Sequence, residues 1–209
     1  MERNRSNAVL MFAGLLVILL ASPANATPVT WVNESDLAIE ADFAVLNPPT
    51  SASVTAGSLT PLFFGEIFEN GITPAAGASA AVLADLGYGL SGTDPRTDNS
   101  WTWIAAVFDS QVGNNDRYRQ QFLAPAINGT YSYTFRFSFD GGVSYTAADV
   151  NGAGSNAGLT FDPTALGTLT VTGGIDPAEV PEPATLMLLA TGMIGVALRR
   201  RRHGQKPRQ

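Results

Sequence analysis

The chain of 209 residues contains no cysteine, so disulfide bonds and thiolate chemistry are both excluded. Histidine is almost as scarce, since the single His203 stands in the basic C-terminal tail. Lys206, the only lysine, stands in the same tail. A serine or threonine nucleophile in the middle of the chain would therefore find no imidazole or amine to take its proton. Zinc held by histidine is excluded there for the same reason. Positive charge is missing too: residues 27–183 carry 17 acids against Arg96, Arg117, Arg119 and Arg136, a balance of −13. Residues 1–26 contribute +1 and residues 184–209 contribute +6, so a net charge of −6 hides an acidic middle between basic ends. Such a middle repels phosphate, which excludes nucleic acid as a partner, and it suits solubility outside the cell. No apolar run reaches the ~20 residues of an ordinary membrane-spanning helix. Acids alone can do general acid and base work when two converge on one pocket, but here they are scattered and no pair stands out. No enzymatic activity, no catalytic residue and no cofactor are expected.

The two ends carry processing signals. "MERNRSNAVLMFAGLLVILLASPANA" has arginines at its start, an apolar run from Ala8 to Leu20, and small residues at Ala24 and Ala26. This is the three-part pattern of a secretory signal peptide, expected to be cut by signal peptidase to leave Thr27 first. The alternative, an uncleaved anchor, is disfavoured because a helix of that run spans only ~20 Å of a ~30 Å hydrocarbon layer. Near the other end, "VPEPATLMLLATGMIGVALRRRR" joins Pro181, Glu182 and Pro183 to an uncharged run from Ala184 to Leu198. As a helix that run reaches ~22 Å, and Arg199, Arg200, Arg201 and Arg202 can snorkel to lengthen it. Clustered arginines stay on the cytoplasmic side, so the acidic middle faces outward, as the signal peptide independently requires.

This tail resembles the PEP-CTERM sorting signal of exported proteins in Gram-negative bacteria that make exopolysaccharide. The resemblance implies recognition by an exosortase, a membrane transpeptidase-like cysteine enzyme, with cleavage near Pro181-Glu182-Pro183. It makes those three residues the sorting motif and Arg199 to Arg202 the cytoplasmic stop. The protein would then be held transiently in the inner membrane with its domain in the periplasm, before reaching the cell surface or matrix. The competing reading is a plain tail anchor that is never cut.

Between the signals, about 150 residues can bury roughly two-thirds of their unfolded surface, enough for a core without disulfides. Short alternating runs separated by Gly, Pro, Asn and Asp predict strands. Leu37, Ile39, Ala41, Phe43 and Val45 read as the buried face of one strand. "WTWIAAVF" from Trp101 to Phe108 is apolar on both faces and reads as a central strand. In "TYSYTFRFSF" Tyr131, Tyr133, Phe135, Phe137 and Phe139 share one face, and Ser132, Thr134, Arg136 and Ser138 the other. "DGG" at Asp140 to Gly142 predicts a hairpin into "VSYTAADV", and "GTLTVTGG" from Gly167 a last strand. "PAAGASAAVLADL" from Pro74 is the one stretch that reads as a helical turn. The expected organisation is a signal peptide at 1–26, a β-sandwich at 27–174, a linker to 180, and a sorting signal at 181–209 with a membrane helix at 184–198.

The pieces "VTAGSLTPLFFGEIFENGIT", "ADLGYGLSGTDP", "WTWIAAVF", "GNNDRY" and "GTYSYTFRFSFDGG" resemble an Ig-like antiparallel β-sandwich module of secreted bacterial proteins. That resemblance implies an accessory domain without a chemistry of its own. It also implies a second aromatic after Tyr145, where this chain has Ala147.

Two binding chemistries compete with plain packing. Asn114, Asn115 and Asp116, or Asp149 and Asn151, could offer oxygen ligands to calcium, but neither loop has EF-hand spacing and Asx turns account for them. Trp101, Trp103, Tyr131 and Tyr133 could form a platform for the sugar rings of an exopolysaccharide, although aromatics in apolar strands usually pack in a core. The sequons at Asn33 and Asn128 read as accidental, given the bacterial signals.

Overall fold

The computed structural model describes residues 29–32 and 40–177. Ala24 and Ala26, Asn33, the Leu37–Ile39 end of the first expected strand, Pro181–Pro183, the 184–198 run and Arg199–Arg202 lie outside the described residues.

Among the described residues eleven strands follow one another: β1 Thr30–Trp31, β2 Phe43–Asn47, β3 Ser51–Thr55, β4 Phe63–Phe68, β5 Leu83–Leu90, β6 Thr102–Ala105, β7 Val107–Val112, β8 Asn115–Gln120, β9 Gly129–Ser138, β10 Ser144–Ala147 and β11 Gly167–Thr172. The larger sheet runs β1-β10-β9-β11-β3, with β5 also paired to β9 and β6 to β5; the smaller runs β2-β4-β8-β7. The two sheets close on one core, where Leu46, Phe63 and Ile67 meet Leu86, Tyr133, Phe135 and Leu169. Pairing between these strands is antiparallel except for β1 on β10 and β11 on β3, which run parallel. The all-β sandwich expected from the turn spacing is thus present, with two parallel edges.

β9 is the spine, and its four aromatics alternate inward as the sequence requires: Tyr131, Tyr133, Phe135 and Phe137 are buried in the core, and Phe139 just beyond the strand packs against it. The opposite face is not the solvent-facing surface that its polar residues suggest. Ser132, Thr134 and Ser138 are buried, the Thr134 hydroxyl donates to the Ala148 carbonyl, and the Ser138 hydroxyl bonds within the hairpin. The hairpin after β9 forms where expected, with Gly141 and Gly142 at φ +75° and +92°. Asp140 stitches it, accepting from the Ser138 hydroxyl at 2.8 Å, the Val143 N–H at 3.0 Å and the Ser144 hydroxyl at 2.6 Å. Burial alone would raise its pKa, but the bonds from Ser144, Ser138 and Val143 outweigh it and hold the carboxyl at about 2. A depressed carboxylate stabilises above its unfolded value, ~4, and loses that contribution as pH falls through about 2. Asp140→Asn is therefore expected to cost on the order of 1 kcal/mol at neutral pH, discounted for its exposure, with the gap closing by pH ~2 in paired urea melts. A gap unchanged across that range would refute the ionic contribution.

Three expectations are corrected. In β2 it is Ala44 and Leu46 that are buried, while Phe43 and Val45 are only half-buried. Residues 149–153 lie along the free edge of β2, with bonds from Ala44 N–H to Ala153 at 2.7 Å and Leu46 N–H to Asp149 at 2.8 Å, and the Phe43 ring covers Gly152. "WTWIAAVF" is not a central strand but two edge strands, β6 and β7, with the chain passing from one sheet to the other at Ala106. It is apolar on both faces because Trp101 and Trp103 join the outer cluster while Ile104, Ala106 and Phe108 pack on the main core. The stretch from Pro74 is a loop that becomes β5 at Leu83, not a helical turn. There the alternation of Ala84, Leu86 and Tyr88 into the core overrides the helix propensity of its alanines.

Gly174 to Asp176, at the start of the expected linker, remain tied to the sandwich. The Asn128 side chain holds Gly174 by both N–H and C=O, at 2.6 and 3.1 Å, and its amide also donates to Asp176 at 2.6 Å. That occupied amide gives a structural reason to read the Asn128 sequon as accidental.

Candidate functional site

The outer face of the larger sheet carries every tryptophan in the protein, Trp31, Trp101 and Trp103. Alternation puts Gly87 and Gly89 of β5 outward, and the rings lie directly on them. A Cβ on Gly87 would sit 2.4 Å from the Trp103 ring, and one on Gly89 2.4 Å from the Trp101 ring. Only glycine lets an indole approach the backbone so closely. Trp101 and Trp103 stack with centroids 5.7 Å apart, and Trp103 leads to Trp31 at 5.8 Å and Trp31 to Tyr145 at 6.3 Å.

Arg136 of β9 stands at the centre of this row. Its guanidinium lies 4.2 Å from the Trp103 centroid, 3.9 Å from Tyr145 and 5.9 Å from Trp31. Nε donates to Asp85 of β5 at 2.9 Å, and the two side chains keep only 12% and 17% of their surface. Burial, then the Asp85 charge, pushes the Tyr145 hydroxyl upward, with Arg136 pulling the other way. The cation is thus both paired and roofed by rings, so it is not free to bind an anion. What the face still offers is the half-buried surface of Trp31 and Trp103, which suits stacking.

Beside Trp101 opens a cleft of about 290 Å³ lined by Ser91, Asp94, Ser132, Thr164, Leu166 and Thr168. Its loop is pinned by Trp101 Nε1 donating to Thr93 at 2.8 Å. Asp94 binds its own neighbour Arg96 at 3.0 Å, and although burial opposes it, the Arg96 bonds lower its pKa. Arg96 in turn lies 4.6 Å from the Phe161 ring. The cleft therefore presents hydroxyl groups and the Asp94 carboxylate, which Arg96 holds from outside the lining, beside the apolar Leu166.

The sugar platform expected from Trp101, Trp103, Tyr131 and Tyr133 does not assemble. The sheet itself separates the tryptophans, on its outer face, from the tyrosines, which are buried in the core. Tyr131 donates to Ile127 at 3.0 Å and Tyr133 to Pro49 at 2.7 Å, so both hydroxyls are spent inside the protein. The true neighbours of the tryptophans are Trp31 and Tyr145. Tyr145 was findable from the alternation of its strand, but nothing local in the sequence points to Trp31, which arrives from the far end of the chain.

The two acidic loops bond to the protein. Asp149 accepts from the Asn151 and Asp162 backbones at 2.8 and 2.7 Å, joining two turns. Asn115 donates to Glu66 at 3.4 Å, and the Asn114 carbonyl accepts from Thr73 at 2.8 Å. Asp116 faces inward and accepts from Ser79 N–H at 3.3 Å; burial raises its pKa. Among the described residues no group of three or more His, Cys, Asp or Glu converges to hold a metal.

An all-β outer domain joined to the tail described above defines a class: an exported protein delivered by a C-terminal sorting signal. The particular signal is shown by comparison, since residues 179–202 match the PEP-CTERM protein-sorting motif. The protein is accordingly exported, membrane-anchored through that signal and an exosortase substrate. The chain is also similar to segments of amylopullulanases. It is 25% identical over 138 residues to that of Thermoanaerobacterium saccharolyticum, covering 59% of this chain and 10% of the relative. It is 29% identical over 98 residues to that of Thermoanaerobacter thermohydrosulfuricus, covering 40% and 7%. It is 30% identical over 89 residues to that of Thermoanaerobacterium thermosulfurigenes, covering 36% and 5%. The chain thus spans a tenth or less of the length of these curated relatives.

Proposed function

We propose that the protein is a non-enzymatic module displayed on the cell surface or in the extracellular matrix. Signal peptidase cuts after Ala26, the 184–198 run holds the chain in the inner membrane with Arg199–Arg202 inside, and an exosortase cuts near Pro181-Glu182-Pro183. The match of residues 179–202 to the sorting motif carries this reading. The lack of histidine, lysine and cysteine between the two signals supports a role without catalysis. Intact mass spectrometry of protein recovered from cell envelope and medium tests it. The expected species begins at Thr27 and ends near Pro181, and a membrane species still ending at Gln209 would make the tail a permanent anchor.

A second reading, binding to polysaccharide, is favoured by the half-exposed Trp31 and Trp103 and the hydroxyl-lined cleft. The similarity to enzymes named amylopullulanases supports it. Electrophoresis through gels containing pullulan or the host exopolysaccharide should retard the protein, and Trp103→Ala should abolish the retardation. Unretarded migration in both gels would remove this reading.

A further inference from the structure

One end of the sandwich is apolar and almost uncharged, and it is the end from which the chain leaves for the membrane. Leu123 is 65% exposed, Leu90 58% and Leu59 54%, and Ile175 and Ile127 are exposed beside them. Leu59 bridges to Leu123 and Ile127 to Ile175, so these side chains come from adjoining backbones. Gly57 N–H bonds to Ala124 at 3.0 Å and Ile175 N–H to Ala126 at 3.0 Å, which locks the three loops together. Leu90 joins them at the start of β9, opposite Tyr131. Residues 56–62, 121–128 and 173–175 hold no Asp, Glu, Lys or Arg, in a region whose balance is −13. The fourth loop at this end, 91–100, does carry Asp94, Arg96 and Asp98, but it folds toward the outer face with Trp101. An apolar end of this kind on an otherwise acidic domain asks for a partner.

The length of chain beyond it names the partner. Asn128 fixes the exit at Gly174 and Asp176. From Asp176 the apolar run begins at Ala184, and those eight residues reach at most ~28 Å when fully extended. The end is therefore never far from the bilayer that holds the run, and tethering supplies an effective concentration at which a modest apolar patch suffices. Anionic headgroups repel the acidic flanks and leave this end as the one that can approach, with Asp176, held by the Asn128 amide, the one acid beside the exit.

We propose that this end is a membrane-docking surface. Leu59, Leu90, Leu123, Ile127 and Ile175 rest in the outer-facing leaflet while the C-terminal signal is uncut, and they leave it on release. The proposal rests on anchoring through the sorting signal. Because the chain has no cysteine, single labels are clean. The full chain carrying Leu123→Cys or Leu59→Cys, labelled with an environment-sensitive fluorophore, is reconstituted into vesicles of phosphatidylethanolamine and phosphatidylglycerol. Val143→Cys is the control, 64% exposed and at the far end of β9, ~30 Å away. Blue-shifted emission quenched by nitroxide-bearing lipid is expected at 123 and 59 and not at 143, in variants whose urea melts match the parent. Water-like emission at 123 and 59 from a chain that floats with the vesicles overturns docking while leaving anchoring intact. A shift that vanishes when labelled chains are diluted to one per vesicle assigns the surface to a second copy and overturns the proposal. A chain that fails to float removes anchoring itself, and docking with it.

Discussion

Arg136→Leu is expected to destabilise the domain by about 3–5 kcal/mol, because it strands Asp85 as an unpaired carboxylate under a roof of aromatic rings. The pair is mostly withdrawn from water, with Nε and Oδ2 2.9 Å apart and under a fifth of either side chain exposed. Surface screening that reduces ordinary ion pairs to fractions of a kcal/mol is therefore weak here. The guanidinium also lies over three rings, each contact contributing ~0.5–1 kcal/mol or more once desolvated. Replacing both partners, Arg136→Met with Asp85→Leu, should recover most of the loss, since an apolar pair leaves no charge behind. Urea unfolding followed by tryptophan emission reads both effects, because Trp31 and Trp103 flank the site. A single-variant cost below ~1 kcal/mol would mean the pair is solvated, and the aromatic row would then be an open surface rather than a closed one. The same measurement thus bears on whether the face is available to a polysaccharide.

What was legible in the sequence is what depends on near neighbours. The inward aromatics of β9, the Asp140-Gly141-Gly142 turn and the last strand all follow from alternation and turn chemistry within a dozen residues. The sorting motif is legible for a related reason: an enzyme reads it as a stretch of chain, so its information is local. "WTWIAAVF" was not legible, because a run apolar on both faces fits a central strand and a crossing between two sheets equally well. Only the pairing of Gly87 with Trp103 and the passage between sheets at Ala106 decide it. The aromatic row was half legible. Parity puts Tyr131 and Tyr133 on the face of β9 opposite Arg136, but nothing local shows that Trp101 and Trp103 join the Arg136 face. The arrival of Trp31 beside Tyr145 depends on a parallel pairing between residues more than a hundred positions apart.

Tyr133→Ala should be the most damaging change on the inner face, costing about 3–5 kcal/mol of a stability that for such domains is ~5–15. Tyr133 is fully buried and stacked on Phe63 of the facing sheet at 3.9 Å, so it joins the two layers. On its other side Gly167 of β11 stands directly opposite, where a Cβ would come within 2.5 Å of the ring. Truncation leaves a cavity that neither neighbour can fill, since one is a rigid ring and the other has no side chain. Tyr133→Phe separates packing from polarity. It keeps the ring but removes the hydroxyl that donates to Pro49 at 2.7 Å, at an expected cost of about 1–2 kcal/mol. Burial drives the Tyr133 pKa well upward, so in an absorbance titration it should stay protonated until alkali unfolds the protein. Its ionisation should then coincide with loss of tryptophan signal, not precede it. Trp103→Ala on the half-exposed outer face should cost less than Tyr133→Ala in the same urea series. The reverse order would place the principal core on the outer face and would overturn the assignment of Tyr133 to the centre of the sandwich.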